Sequence, residues 1–265
     1  MAYDYQGKLV LIAGASAGLG RALARAYHEA GAKLALVARN AQKLEQLQAQ
    51  GLNSRKTEVG VFPADLLNLE GIPGLVEKVS GKFHQPVDVL VHCAAMSCYG
   101  EVERTPFEMI EQVTRLNYLA GVRLVQELLG PMKERGSGQI VWIGSASAFR
   151  GRPLSAAYCA SKAAAKSFCE ALRGEVKPFG VDVLYVMPGS LKTGFHEAQA
   201  NYSRNQRLRP LRSPSNPEDL ARAILGAGRF QQPVLVYGRG ARIQQRLSRW
   251  APVLLDRAFQ EQIHR

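Results

Sequence analysis

Leu9-Val10-Leu11-Ile12-Ala13 runs without a break into Gly14-Ala15-Ser16-Ala17-Gly18-Leu19-Gly20. The opening residues, with Lys8 before them, form a brief apolar run closed by glycine, the pattern of a buried strand. Residues 18–30 then carry apolar side chains at helical spacing and stop at Gly31, a residue type that ends helices. Three glycines therefore sit where a strand turns into a helix. Without Cβ atoms, Gly14, Gly18 and Gly20 let the backbone turn tightly and approach a pyrophosphate, and the helix that follows presents its N–H groups and positive dipole end. A plain glycine-rich connection would contain the same residues. What favours a dinucleotide site is the position of the turn, after the first strand and before an amphipathic helix. Ser16 and Leu19 lie inside this turn and join the glycines as candidate contacts.

The rest of the chain repeats this unit. Short apolar strands are expected at Leu34–Val37, Val59–Phe62, Val87–Val91, Ile140–Ile143, Val181–Met187 and Val234–Tyr237. Helical stretches separate them at 41–50, 69–80, about 105–132 and 156–177, with Thr105 read as an N-cap and Pro106 as the first helical residue. Alternating strands and helices predict an α/β fold, a doubly wound parallel sheet of about seven strands covered on both faces. No internal repeat or Gly/Ser-rich linker divides residues 1–265, so one domain is expected. Residues 190–216, rich in Arg, Ser, Asn and Pro, fit a loop over a substrate site. Leu191, Phe195, Tyr202, Leu208 and Leu211 are apolar there, with Arg204, Arg207, Arg209 and Arg212 between them.

The end of the second strand selects a cofactor. An acid about 20 residues beyond the glycines would hold the ribose 2′-hydroxyl of NAD. The sequence there is Val37-Ala38-Arg39-Asn40, with no acid, and Arg39 can pair with a 2′-phosphate. The expected cofactor is NADP(H). Asp65, followed by Leu66 after the third strand, fits either a hydrogen bond to an adenine amino group or a local helix cap.

Tyr158-Cys159-Ala160-Ser161-Lys162 places a phenol and an ammonium at i and i+4, on one face of a helix. A nearby ammonium favours the phenolate and is expected to draw the Tyr158 pKa downward, suiting it to exchange a proton with an alcohol or ketone. Ser145 ends the fifth strand and can bond the same substrate oxygen. Asn117, in the helix before that strand, can hold a water beside Lys162. The Tyr/Lys spacing alone is common on helix surfaces.

Together these residues resemble the short-chain dehydrogenase/reductase family, of the single-domain type. The matching pieces are Gly14-x-x-x-Gly18-x-Gly20, Asp65, Asn117, Ser145, Tyr158-x-x-x-Lys162, and Pro188-Gly189 with Thr193, in family order across about residues 7–195. The resemblance implies a seven-stranded Rossmann sheet and a nicotinamide cofactor. It assigns the acid/base role to Tyr158 and the substrate oxygen to Ser145. Lys162 would bind the nicotinamide ribose and tune Tyr158, Asn117 would support a water relay, and Pro188, Gly189 and Thr193 would meet the nicotinamide end. Where the family usually has Asn-Asn-Ala-Gly or Asn-Cys-Ala-Gly, this chain has His92-Cys93-Ala94-Ala95; Ala94 is a further candidate contact. His92 reads as structural. Leu36–Asn40, Cys93–Met96, Leu116–Gly121 and Glu175–Pro178 are similar to the branch containing 3-ketodihydrosphingosine reductase and the 11β-hydroxysteroid dehydrogenase-like reductases, which act on lipid or steroid ketones at membranes.

The resemblance and Arg39 imply an NADPH-dependent carbonyl reductase that interconverts a ketone and a secondary alcohol on an apolar or lipid-like substrate. Two other readings stay open: a non-catalytic NADP-binding interaction or sensor protein, motivated by His92–Ala95, and a dehydrogenase of small polar alcohols. Family resemblance also implies a homodimer or homotetramer built through the helices at 105–132 and 156–178.

Charge supplies the last reading. The 265 residues carry a net charge of +12, with 34 basic against 22 acidic side chains. Residues 201–265 hold twelve Arg, no Lys and only Glu218, Asp219, Asp256 and Glu261 as acids, so most of the surplus lies in the last quarter. Within 240–265, Ile243, Leu247, Trp250 and Leu254 recur at helical spacing while Arg242, Arg246, Arg249 and Arg257 fall largely off the stripe, and Pro252 interrupts it. This amphipathic helical extension fits packing on its own core or a sister subunit, or an anionic lipid surface. Nucleic acid is not an expected partner, because no aromatic-interleaved basic motif or reader fold is present. No CxxC pair or His cluster suggests a metal among Cys93, Cys98, Cys159, Cys169 and the five histidines. With no signal-like N-terminus and no long apolar run, a reducing cytoplasmic location is expected, with peripheral membrane contact left open.

Overall fold

In the computed structural model, the described residues are 3–52, 57–195, 197–204, 214–227 and 233–261. Of the loop residues singled out above, Arg207, Leu208, Arg209, Leu211 and Arg212 lie outside them.

Strand β1 (Leu9–Ala13) is buried at every residue, and its alternation decides the layering. Leu9, Leu11 and Ala13 feed one hydrophobic core; Val10 and Ile12 feed another on the opposite face. A strand that is apolar on both faces can sit only in the middle of a covered sheet. The sheet is completed by β2 (Lys33–Ala38), β3 (Val59–Pro63), β4 (Val89–His92), β6 (Gly138–Ile143), β7 (Val181–Pro188) and β9 (Val234–Tyr237). Its order is β3-β2-β1-β4-β6-β7-β9 and every pairing is parallel. The direction of winding reverses between β1 and β4, which opens a crevice at their C-terminal ends.

Helices α3 (Ile72–Phe83), α5 (Ala120–Glu134) and α6 (Ala156–Val176) cover the face of Leu9 and Leu11. The other face is covered by α1 (Gly18–Glu29), α2 (Ala41–Gly51) and α7 (Pro217–Gly226). As expected, Gly31 follows α1 with φ +83°. Two short strands that carried no sequence signal, β5 (Cys98–Tyr99) and β8 (Ala200–Asn201), pair with each other. They tie the segment after β4 to the segment after β7.

The region expected as one helix from 105 is assembled differently. Thr105 is not the cap: its hydroxyl donates to the Glu101 carbonyl at 3.0 Å. Pro106 takes the cap position with ψ 139°, so α4 (Phe107–Thr114) starts one residue later. A π-helical turn over Arg115–Leu119 then joins α4 to α5. At the C-terminus, Ala251 separates α8 (Arg239–Trp250) from α9 (Pro252–Gln260), with Pro252 in the first turn of α9. The apolar stripe read from the sequence is not what holds this extension down. Ile243, Trp250 and Leu254 are exposed, while Ala241, Leu255 and Phe259 are buried.

Candidate active site

The glycine turn occupies the crevice between β1 and β4. Gly14 has φ +91°, and a Cβ there would stand 2.6 Å from the Ala94 backbone nitrogen. Gly18, at φ +51°, would place a Cβ 2.9 Å from Thr193 Cβ, and a Cβ on Gly20 would overlap the Gly14 carbonyl. Each glycine is thus required by a close approach, and Ala94 and Thr193 are the groups approached. Ser16 lies in the turn. Leu19, in the first turn of α1, is buried. Among the described residues, no side chain caps the N-terminus of α1, and no acid lies in its first turn. This is a cradle of backbone donors that a pyrophosphate fits.

Arg39 and Asn40 follow β2 on the same edge, and both are exposed. The Asn40 side-chain Oδ1 accepts from the Lys43 N–H at 2.9 Å and so caps α2. The Asp65 carboxylate accepts from the Leu67 N–H at 3.0 Å, the local turn role, and Leu66 is buried. Pro188 ends β7, and the Gly189 N–H donates to the Tyr237 carbonyl at 3.0 Å.

Tyr158 and Lys162 share one face of α6, with the Lys162 ammonium 5.7 Å from the Tyr158 ring centroid. The ammonium is buried and donates to the Ile143 carbonyl, at the end of β6, over 3.0 Å. Burial lowers its pKa to about 8, partly offset by Cys93. The Ser145 hydroxyl favours the ionised form of the Tyr158 phenol and accepts from the Ser147 N–H at 3.1 Å. The expected fall in the Tyr158 pKa does not occur here. Burial pushes it up to about 12, against the opposing pull of Ser145 and Arg152. Desolvation of the phenolate outweighs these favourable partners, and the Lys162 ammonium is turned to the Ile143 carbonyl.

The π-helical turn carries Asn117, which is fully buried. Its side-chain oxygen accepts from the Met96 N–H at 2.8 Å, and its amide donates to the Met96 carbonyl at 2.9 Å and to Ser161 Oγ at 3.0 Å. Ser161 in turn donates to the Tyr158 carbonyl. Asn117 therefore braces the segment after β4 against α6. Sequence reading passed over Ser161, although it precedes Lys162 directly, because its partner lies 44 residues away. It also passed over Arg152, whose charge acts on Tyr158 and Cys159.

His92 is buried, edge-on to Trp142 with ring centroids 4.8 Å apart. Among the described residues, neither ring nitrogen has a partner at hydrogen-bond geometry. Burial, then the Lys162 charge, lowers its pKa to about 3. The ring is a neutral packing element, in keeping with its structural reading.

An open parallel sheet that reverses beside a glycine turn defines the dinucleotide-binding class of α/β proteins. Within that class, the chain belongs to the short-chain dehydrogenase/reductase family: the family model described as short chain dehydrogenase matches residues 8–203. A fruit-fly protein, "Dehydrogenase/reductase SDR family protein 7-like" of Drosophila melanogaster, is 37% identical over 190 residues. That match covers 71% of this chain but 58% of the fly protein, so the chain spans little more than half the length of that relative. The 3-ketodihydrosphingosine reductase of Bos taurus is 30% identical over 225 residues, 83% of this chain and 68% of the bovine one. Among solved structures, a short-chain dehydrogenase from Streptomyces avermitilis superposes with a TM-score of 0.81 at 29% identity, covering 94% of this chain and 97% of that one.

Proposed function

We propose that the protein is an NADPH-dependent oxidoreductase that interconverts a ketone and a secondary alcohol on an apolar or lipid-like substrate. The observation that carries this reading is that Tyr158 and Lys162 share one face of α6, with Lys162 bonded to the end of β6, which Ser145 follows. In the reduction direction, Tyr158 donates its proton to the substrate oxygen as the carbonyl double bond is lost. A phenol held near pKa 12 is fully protonated at neutral pH, which is the form that reduction needs. Ser145 donates to the same oxygen, Lys162 would hold the nicotinamide ribose, and Asn117 is a positioning residue that braces α6 through Ser161. When bound, the reduced nicotinamide supplies the hydride to the carbonyl carbon. The cradle of Gly14, Ser16, Gly18, Leu19 and Gly20 would hold its pyrophosphate. Asp65, Leu66 and Ala94 would line the adenosine side, and Pro188, Gly189 and Thr193 the nicotinamide side, with residues 190–216 as substrate loop.

Arg39 supports NADPH over NADH, because no acid stands beside it to bind a bare ribose. Arg39→Ala is expected to weaken NADPH binding about 10- to 100-fold, the span of one charge-assisted pair, and to leave NADH binding nearly unchanged. Equal losses for the two cofactors in a binding titration would remove this role. The apolar substrate is supported by Phe195, whose ring lies 6.0 Å from that of Tyr158, and by the likeness to the bovine reductase. The sensor reading is weakened by His92, which packs against Trp142 and does not enter the cradle.

The C-terminal extension supports peripheral contact with an anionic membrane. Among the described residues, no helix is long and apolar enough to cross a membrane. Trp250, Val253 and Leu254 are 78%, 61% and 59% exposed where α8 meets α9, with Arg246, Arg249 and Arg257 beside them. Apolar anchors flanked by cations match an anionic bilayer surface. The exposed Phe107, Leu119 and Phe179 leave apolar surface for a homodimer or homotetramer.

A further inference from the structure

Arg152 stands on the loop between β6 and α6, six residues before Tyr158. The loop is pinned along its length. Arg150 forms a bidentate ion pair with Asp256 of α9, through its Nε and Nη2. The Arg152 N–H points to Cys159 Sγ at 3.4 Å, and the Ser155 N–H donates to the Arg152 carbonyl. Leu154 has φ +61°, an uncommon conformation for leucine, and its carbonyl accepts from the Gly100 N–H at 3.0 Å.

The Arg152 guanidinium lies over the Phe259 ring, 5.4 Å from its centroid. Its Nε and Nη2 are buried and have no hydrogen-bond partner among the described residues. These two nitrogens form the edge with which Arg150 grips Asp256, the edge that matches a carboxylate or phosphate. Asp256, the acid that α9 brings to this loop, is engaged by Arg150. A buried guanidinium edge left unpaired is costly, and an anion would relieve that cost. The Arg152 backbone is held against Cys159, the residue after Tyr158, which sets Arg152 beside the first turn of α6 that carries the phenol.

We infer that Arg152 is a substrate-recognition residue whose Nε/Nη2 edge binds an anionic oxygen group, carboxylate or phosphate, on an otherwise apolar substrate. This deepens the reductase reading by naming a substrate class, a ketone or alcohol that carries an acidic group.

The test is a calorimetric titration of the full chain with octanoate, octyl phosphate and the uncharged methyl octanoate. At least one of the anions is expected to bind ten-fold or more tightly than the ester, and which one does so identifies the group. Arg152→Gln should bring the three probes within about two-fold of one another. Arg152→Lys keeps the charge but loses the fork, and should weaken binding of the preferred anion at least three-fold. Equal affinities of wild type for all three probes would overturn the inference. So would an anion preference that survives Arg152→Gln, or one that Arg152→Lys leaves unchanged should the glutamine variant not fold. Tyr158→Phe should keep the preference intact. An absence of Tyr158-dependent turnover would therefore count against the reductase reading without touching this one.

Discussion

Gly14 carries more of the account than any charged residue. At φ +91°, and with the Ala94 backbone 2.6 Å from where a methyl would sit, it has no room for a side chain. Gly14→Ala is expected to lower the melting temperature by several degrees and to abolish dinucleotide binding, read by thermal shift with and without NADPH. A variant that keeps both would mean that the strand ends can part at little cost. This residue was legible from the sequence because a glycine between a strand and a helix has a local meaning. Tyr158 and Lys162 were legible for the same reason, since i,i+4 on a helix is a local geometry. The bond from Asn117 to Ser161 was not, because it joins residues 44 apart through folded packing. Nor was the rise of the Tyr158 pKa, because burial is a property of the assembled site.

At the scale of elements, the sheet was readable because each strand is a short apolar run, and β1 feeds both cores in alternation. The helix after β4 was only partly readable. Its pattern is continuous, yet Pro106 delays its start, and a π turn at Arg115–Leu119 carries Asn117 in a place that an unbroken α-helix would not provide. The end of β4 gives a pH prediction. His92 has a pKa lowered from 6.5 to about 3, so the unfolded chain binds a proton there that the folded chain refuses. Stability should fall as pH drops from about 6.5 toward 3 and should be insensitive to this group above that window. Melting temperatures across pH 3–8 should show a shallower acid-side loss for His92→Gln than for wild type. Parallel curves would show that His92 is not the group concerned.

Across the whole molecule, the net charge of +12 divides into a mildly basic body and an arginine-rich end. Composition revealed the asymmetry, but not which face the end would present. Leu255 and Phe259 turn inward, and the Gln244 side chain donates to the Ala146 carbonyl at 2.9 Å, so the tail is fastened to the loop that leads from Ser145 to Tyr158. Replacing Trp250, Val253 and Leu254 together with serine is expected to reduce co-sedimentation with anionic liposomes at least five-fold while leaving the melting temperature within about two degrees. Unchanged co-sedimentation would assign the patch to a subunit contact. The central claim is the proton transfer by Tyr158, and the measurement that reaches it most directly is the oxidation of NADPH, followed by absorbance, against a panel of long-chain and acid-bearing ketones. Wild-type protein should turn over at least one of them, and Tyr158→Phe should lower kcat about 10²- to 10⁴-fold with NADPH binding retained. A wild-type rate that Tyr158→Phe leaves unchanged would contradict the account.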